Sequence, residues 1–257
     1  MTSTLLDDPL IPSDELIREH SGGIDRNTFI LMGDEIAKHS LIGAARLPAN
    51  GRLLDVGCGC GKIARPLVGY LGAQGGYDGI DITHAAIDWC RDAYRGHPNF
   101  RFHLADLQSS RYNAGGATRA SEYRFPFEAN SFDVVFLGSV FTHLLPADTA
   151  HYLREIGRVL KPGGRCLSTF FVLDTQALAN VEAGRTTPAF PHRWGNEGCR
   201  VELLDVPEAA IAYDEAAVRR MVTEAGLVVD AINHGEWGRG RLVPHWQDEV
   251  WSSKPAG

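Results

Sequence analysis

Cysteine is scarce and unpatterned: five residues in 257, at Cys58, Cys60, Cys90, Cys166 and Cys199. An odd, scattered set argues against a disulfide framework and predicts reduced thiols. Cys58 and Cys60 are separated by one residue, closer than structural zinc pairs, and no second pair follows, so no metal site is expected. Basic excess is also missing. The formal net charge is -7, which leaves no electrostatic footprint for a phosphate backbone and makes nucleic acid an unexpected partner. No run approaches the roughly 18 apolar residues of a membrane helix. Met1 to Pro12 carries Asp7 and Asp8 where a signal peptide has basic charge and an apolar stretch. A cytoplasmic protein without a membrane partner is therefore expected. No internal repeat stands out, and nothing in the pattern fixes an oligomeric state. What remains is an ordinary composition, 44% hydrophobic and 22% charged, suited to one α/β domain with additions.

Residues 1–46 read as a helical N-terminal extension, with Phe29, Met32, Ile36 and Ala37 at helical spacing before a break at Pro48-Ala49-Asn50-Gly51. From there, over 47–257, strands and helices alternate. Strands are expected at Arg52 to Gly57, up to Ile82 after Gly79, and at Asn99 to Asp106, Phe132 to Ser139, Arg165 to Val172, Leu227 to Asn233 and Glu249 to Ser252. Helices are expected at Gly61 to Leu71, Thr83 to Tyr94, Pro146 to Leu160 and Tyr213 to Ala225, with Thr83 and Asp214 as caps. That alternation predicts a mostly parallel sheet covered on both faces, with ligands beyond the carboxyl ends of its strands. Two long inserts, 108–127 and 174–206, interrupt the pattern; loops of that length are usually functional or mobile.

The first strand runs into Asp55-Val56-Gly57-Cys58-Gly59-Cys60-Gly61 and directly on to a helix. Glycines there permit positive φ and close approach of a ligand to the backbone. A dinucleotide fingerprint would need glycine where Lys62 stands. A P-loop would need Ser or Thr after Gly61-Lys62, where Ile63 stands. What remains is Asp-x-Gly-x-Gly-x-Gly, and here the sequence resembles the class I S-adenosylmethionine-dependent methyltransferases, of the bacterial small-molecule type, from about Phe29 onward. Phe132-Asp133-Val134-Val135-Phe136-Leu137-Gly138-Ser139 and Arg158-Val159-Leu160-Lys161-Pro162-Gly163-Gly164 resemble that family's fourth strand and the turn before its fifth.

The resemblance implies a Rossmann-like, seven-stranded sheet of order 3-2-1-4-5-7-6 and S-adenosyl-L-methionine as cofactor, leaving S-adenosyl-L-homocysteine as product. It implies that Asp55 faces the cofactor's ammonium group, and that Gly57, Cys58, Gly59 and Gly61 underlie its methionine and ribose moieties. Asp81 would take the ribose hydroxyls and Asp106 the adenine amino group, with Ile82 and Leu107 sandwiching the ring. Leu137 and Gly138 would line the cleft. Taken singly, Asp81 could instead cap the helix at Thr83, and Asp106 could simply end a strand at a turn.

A hydroxyl acceptor also needs its proton removed, and His143, just past the fourth strand, is the expected base. Its duller reading is packing at the following helix. His192 and Trp194 with Arg193, and His234 and Trp237 with Arg239, are the expected substrate-binding residues, suited to a sugar or another polar small molecule. Tyr112 and Tyr123 are further candidates, and Phe29, Met32 and Gly33 are candidates for a lid. The expected reaction is O-methylation by in-line displacement. The alternatives are a non-catalytic S-adenosylmethionine-binding sensor and an RNA or protein methyltransferase; against the latter, Leu137-Gly138-Ser139-Val140 lacks the Asn/Asp-Pro-Pro-Tyr/Phe sequence of many amino-group methylases.

Overall fold

The structure is a computed structural model that describes residues 8–109, 113, 115–239 and 245–257. Tyr112 lies outside the described residues. The chain divides into two compact units, separated in sequence between Ala105 and Asp106.

In the first unit, α1 (Asp14–His20) starts where the Ser13 hydroxyl accepts the Leu16 N–H, with Asp14 and Glu15 in its first turn. Asp25 caps α2 (Arg26–Glu35) in the same way through the Thr28 N–H, and the chain continues as a π-helical stretch, Ile36–Ala44. Then come β1 (Arg52–Val56), α3 (Ala64–Leu67), β2 (Gly76–Asp81), α4 (His84–Ala93) and β3 (Phe100–Leu104). The three strands pair in parallel, β1 with β2 and β2 with β3. The helix expected over Gly61 to Leu71 is only one turn long, because Gly61 at φ +82° still belongs to the preceding turn. Amphipathic α4 buries Ala86, Ile87 and Cys90. Tyr94 at its end joins an aromatic layer with Tyr77, Phe100 and Phe102, whose ring centroids lie 4.9–5.7 Å apart. The extension is held down by a cluster of Ile11, Ile17, Phe29, Ile30, Cys60 and Ala86. Phe29, a lid candidate, is thus wholly buried in this core, and of the expected trio only Met32 is exposed.

Asp78 is a buried charge in this unit and a structural one. Burial alone would raise its pKa, but His103, Arg101 and Arg52 at 2.7–3.0 Å outweigh that and hold it well below the usual carboxylate range.

The second unit contains β4 (Phe132–Leu137), α5 (Pro146–Val159), β5 (Leu160–Phe170), β6 (Val172–Leu173), α6 (Thr175–Glu182), β7 (His192–Arg193), β8 (Cys199–Val201), β9 (Ile211–Asp214), α7 (Glu215–Glu224), β10 (Val228–Asn233) and β11 (Asp248–Ser253). The main sheet has the order β10-β11-β5-β4-β1-β2-β3. That is the expected topology, with β10 and β11 as its sixth and seventh members. β4 runs parallel to β5, while β11 is antiparallel to both β5 and β10. A second sheet of order β6-β9-β8-β7 departs from expectation. The insert 174–206 read as irregular, yet it holds α6, β7 and β8. Strands of two or three residues are too short to show alternation, which is why the pattern missed them. Tyr213, read as the start of a helix, lies in β9; Asp214 occupies the expected cap position, although its side chain makes no capping bond. Among the described residues, no helix is long and apolar enough to cross a membrane.

Candidate cofactor and acceptor site

The glycine turn is pinned to β2 by its backbone: the N–H groups of Gly57 and Cys58 both donate to the Ile80 carbonyl, at 2.8 and 3.0 Å. Gly59 sits at φ +51°, and a Cβ there would lie 2.7 Å from the His20 carbonyl oxygen, so the end of α1 closes on the turn. The Ser21 hydroxyl and the Cys60 thiol are 3.2 Å apart in the same contact. Residues His20 and Ser21 are therefore what the end of α1 lays over the turn. Nothing in the periodicity of the sequence singled them out. Below the turn, the Tyr94 hydroxyl donates to the Gly61 carbonyl at 3.4 Å and the Cys90 thiol to the Gly59 carbonyl at 3.6 Å. Burial pushes the Cys58 thiol far above its ordinary pKa, so it is a packing group rather than a nucleophile.

Asp55 differs from what the resemblance implies. It is 1% exposed, and the Tyr77 hydroxyl donates to its Oδ2 at 2.5 Å. Burial raises its pKa to about 7, opposed by that hydrogen bond and by the charge of Lys62.

Asp81 is placed differently. The Gly59 N–H donates to its Oδ2 at 2.8 Å and the Thr83 N–H to its Oδ1 at 2.9 Å, so the carboxylate is clamped at the carboxyl end of β2. It is only half-buried, and among the described residues no cation forms an ion pair with it. A carboxylate has about four lone-pair sites, so each oxygen keeps one for a further donor. Two oriented acceptors side by side are what a cis-diol requires. The capping alternative also holds in part, since the Thr83 N–H at the head of α4 donates to the same carboxylate. Ile82 is half-buried beside Asp81. The Asp81 carboxylate therefore has the chemistry to hold the ribose of S-adenosylmethionine.

In the second unit, Asp106 is exposed and accepts from Asn113 at 3.1 Å, while Leu107 is buried and bridged to Thr118. Leu137 is buried at the end of β4 and Gly138 is half-buried. Ser139, the next residue, adopts φ +60°, held by its N–H on the Thr169 hydroxyl (2.7 Å) and its own hydroxyl on Gln247 (3.0 Å). A non-glycine residue held at positive φ just past a strand end is a mark of a constrained, functional position. His143 closes a short 3-10 turn, Phe141–His143, and its Nδ1–H donates to the Glu208 carbonyl at 3.0 Å. That bond puts the basic lone pair on Nε2.

The expected substrate residues fare unequally. His192 and Trp194 are half-buried on and beside β7, where the Trp194 backbone pairs with Cys199. Trp237 is 2% exposed, packed edge-on against Phe171 and Phe190, and its indole N–H donates to Asp248. It is core, with no face left for a ligand. His234 bridges Asp248 at 3.3 Å and Asp174 at 3.8 Å and belongs to the same buried network. Sequence reasoning instead missed a cavity of about 480 Å³ in this unit, lined by Gln108, Arg119, Leu145, Asp148, Asp205 and Glu208. Burial raises the pKa of Asp148 there, against hydrogen bonds from Ser121. The lining is drawn from two inserts, the start of α5 and the short turn that holds Glu208, so no contiguous motif could have announced it.

Residues 54–168 match the family model described as a methyltransferase domain. Over that stretch, somewhat less than half of its length, the chain is similar to a methyltransferase domain. The chain is 33% identical over 113 residues to an uncharacterized methyltransferase of Schizosaccharomyces pombe, an alignment covering 44% of this chain and 37% of the relative. It is 30% identical over 155 residues to an O-methyltransferase of Penicillium expansum, covering 58% and 48%. The chain thus spans about half or less of the length of these relatives. Among solved structures, a putative sarcosine dimethylglycine methyltransferase from Galdieria sulphuraria superposes with a TM-score of 0.58 over 95% of this chain and 98% of that one, at 16% identity. At that identity the likeness speaks for the fold alone.

Proposed function

We propose that this chain transfers a methyl group from S-adenosylmethionine to a hydroxyl of a polar small molecule. The observation that carries the reading is the clamped Asp81 carboxylate beside the glycine turn, with an acceptor site left on each oxygen. The cofactor supplies an electrophilic methyl group on a sulfonium. The chain's task is then to align the acceptor for in-line displacement, exclude water and take one proton. By motif position Gly57, Gly59 and Gly61 lie under the methionine and ribose, Asp106 and Leu107 serve the adenine, and Leu137 and Gly138 line the cleft. The resemblance to relatives named as O-methyltransferases supports oxygen as the acceptor atom.

His143 is assigned as the base. Its Nδ1–H is committed to the Glu208 carbonyl, so Nε2 is the atom that can take the hydroxyl proton. Glu208 also lines the second-unit cavity, whose mix of carboxylates, an arginine and an amide suits a hydroxylated or amine-bearing molecule. His192 and Trp194 are kept as contacts for its outer part.

Calorimetry with S-adenosylmethionine, S-adenosylhomocysteine and NAD tests the cofactor assignment; binding of NAD with no response to the first two would overturn it. A screen of hydroxylated acceptors with methyl-labelled cofactor then tests the chemistry. On an acceptor found in this way, His143→Ala is expected to lower kcat about 100-fold or more, the usual worth of a general base, with cofactor affinity unchanged. Unaltered turnover would remove His143 from the reaction.

A further inference from the structure

Three neighbouring strands of the second unit converge on Gln247, a residue with no role so far. Ser139 lies two residues past β4, Thr169 is the last but one of β5, and Gln247 immediately precedes β11, whose Asp248 pairs with Phe170. β4 and β5 run parallel, so the three residues stand at the carboxyl ends of those strands. An open sheet of this kind takes its ligands there. The Ser139 N–H donates to the Thr169 hydroxyl at 2.7 Å. That hydroxyl donates in turn to Gln247 Oε1 at 2.6 Å, and the Ser139 hydroxyl donates to the same oxygen at 3.0 Å. A separation of 2.6 Å suits O–H···O and is short for N–H···O, which fixes the end of the carboxamide that faces the two hydroxyls.

Both lone pairs of that oxygen are then filled, while the amide nitrogen keeps two N–H donors. Among the described residues no group accepts from it, and it is not shut away from solvent. The arrangement is held against strain. Ser139 adopts φ +60° although a glycine, Gly138, stands next to it, and the exposed serine is kept where its hydroxyl and N–H orient the carboxamide. Asp248, the next residue, spends both carboxylate oxygens on donors of the core, so it offers a cationic ligand nothing. We propose that the Gln247 amide is a specificity-determining donor for the methyl acceptor, which carries a carbonyl-type oxygen, of a ketone, an amide or a carboxylate, besides the hydroxyl to be methylated. Ser139 and Thr169 are positioning residues that hold the amide. The proposal rests on the methyl-transfer reading above and narrows its polar small molecule to one with such an oxygen.

The test is a transfer assay on the full chain with methyl-labelled S-adenosylmethionine and acceptors in matched trios. One trio is 2-hydroxyacetophenone, salicylate and 2-ethylphenol; another is 3-hydroxy-2-butanone, lactate and 2-butanol. Within each, the members carry a ketone, a carboxylate or neither. The unaltered chain is expected to favour an oxygen-bearing member over the plain alcohol by about 10-fold or more in kcat/KM, and the trio tells ketone from carboxylate. Gln247→Glu keeps the oxygen that Ser139 and Thr169 use and replaces the donor with an anionic oxygen. It should raise KM for the favoured member, relative to the plain alcohol, by about 10- to 100-fold, with cofactor affinity unaltered by calorimetry. Gln247→Met, of similar length and without either group, serves as a neutral variant, and denaturation curves establish that each variant is folded. Ser139→Gly relieves the backbone and removes the hydroxyl; it should lose discrimination between the members without losing stability. Equal losses on every member would mean that Gln247 only supports the strand ends, and no loss on any would mean that its amide is unused; both results overturn the proposal. If a chain that binds S-adenosylmethionine methylates no acceptor, the methyl-transfer reading falls and takes the proposal with it, a result distinct from the other two.

Discussion

Replacing Asp81 with alanine is expected to raise the dissociation constant for S-adenosylmethionine and S-adenosylhomocysteine by about 100-fold or more. Two hydrogen bonds to a charged group are worth about 1.5–3 kcal/mol each, and alanine removes both acceptors at once. It also releases the Gly59 and Thr83 N–H groups that the carboxylate now holds at 2.8 and 2.9 Å, so the turn itself loosens. Asp81→Asn separates the two effects. An amide keeps one oxygen for a backbone donor but turns the other acceptor into a donor, and it should still lose most of the affinity. Calorimetry with both ligands reads the outcome directly. A change smaller than about threefold, under 1 kcal/mol, would show that the ribose is held elsewhere.

The second large effect falls on stability. Asp248, the first residue of β11, is fully buried and gathers the N–H groups of Val172 and Gly235, the Trp237 indole and His234, with Arg239 beside it. Asp248→Ala strands three buried N–H donors and takes a carboxylate from a buried guanidinium. Each orphaned donor costs about 1–3 kcal/mol, and breaking a buried charge pair costs about 3–5 kcal/mol. These terms overlap, so a loss of about 4 kcal/mol or more is expected, much of the stability of a typical domain. Urea denaturation should show a strongly lowered midpoint. Asp248→Asn, which keeps one acceptor, should lose less. A shift within 1 kcal/mol for Asp248→Ala would mean that water replaces the carboxylate.

Much of this was legible in the chain before its structure. The alternation of strands and helices held, as did the sheet order, because parallel strands buried on both faces leave long apolar runs that periodicity detects. The place of Asp81 at the end of β2 was also readable, since spacing after a strand is a local property. What was not readable depended on burial. Asp55 has the sequence of a ligand contact, but whether its carboxyl faces outward or toward Tyr77 is decided by a phenol 22 residues away. Trp237 and His234 looked like a recognition surface and are parts of the Asp248 network. That error is the usual one for aromatic residues, whose flat faces serve cores and ligands equally well. The cavity beside Glu208 is assembled from segments far apart in sequence, and composition alone does not bring them together.

The position of β11 has a consequence for how the protein is made. It is the last strand of the main sheet to be translated, yet it lies between β5 and β10. Until it emerges from the ribosome, β5 presents an unpaired edge and β10 has no partner in that sheet. Open edges of this kind are templates for pairing with other chains, and synthesis at about 5–20 residues per second leaves that edge bare for at least the time needed to add Phe171 to Asp248. The nascent chain is thus most exposed to aggregation between the synthesis of β5 and that of β11, and protection by a chaperone would matter most during that interval.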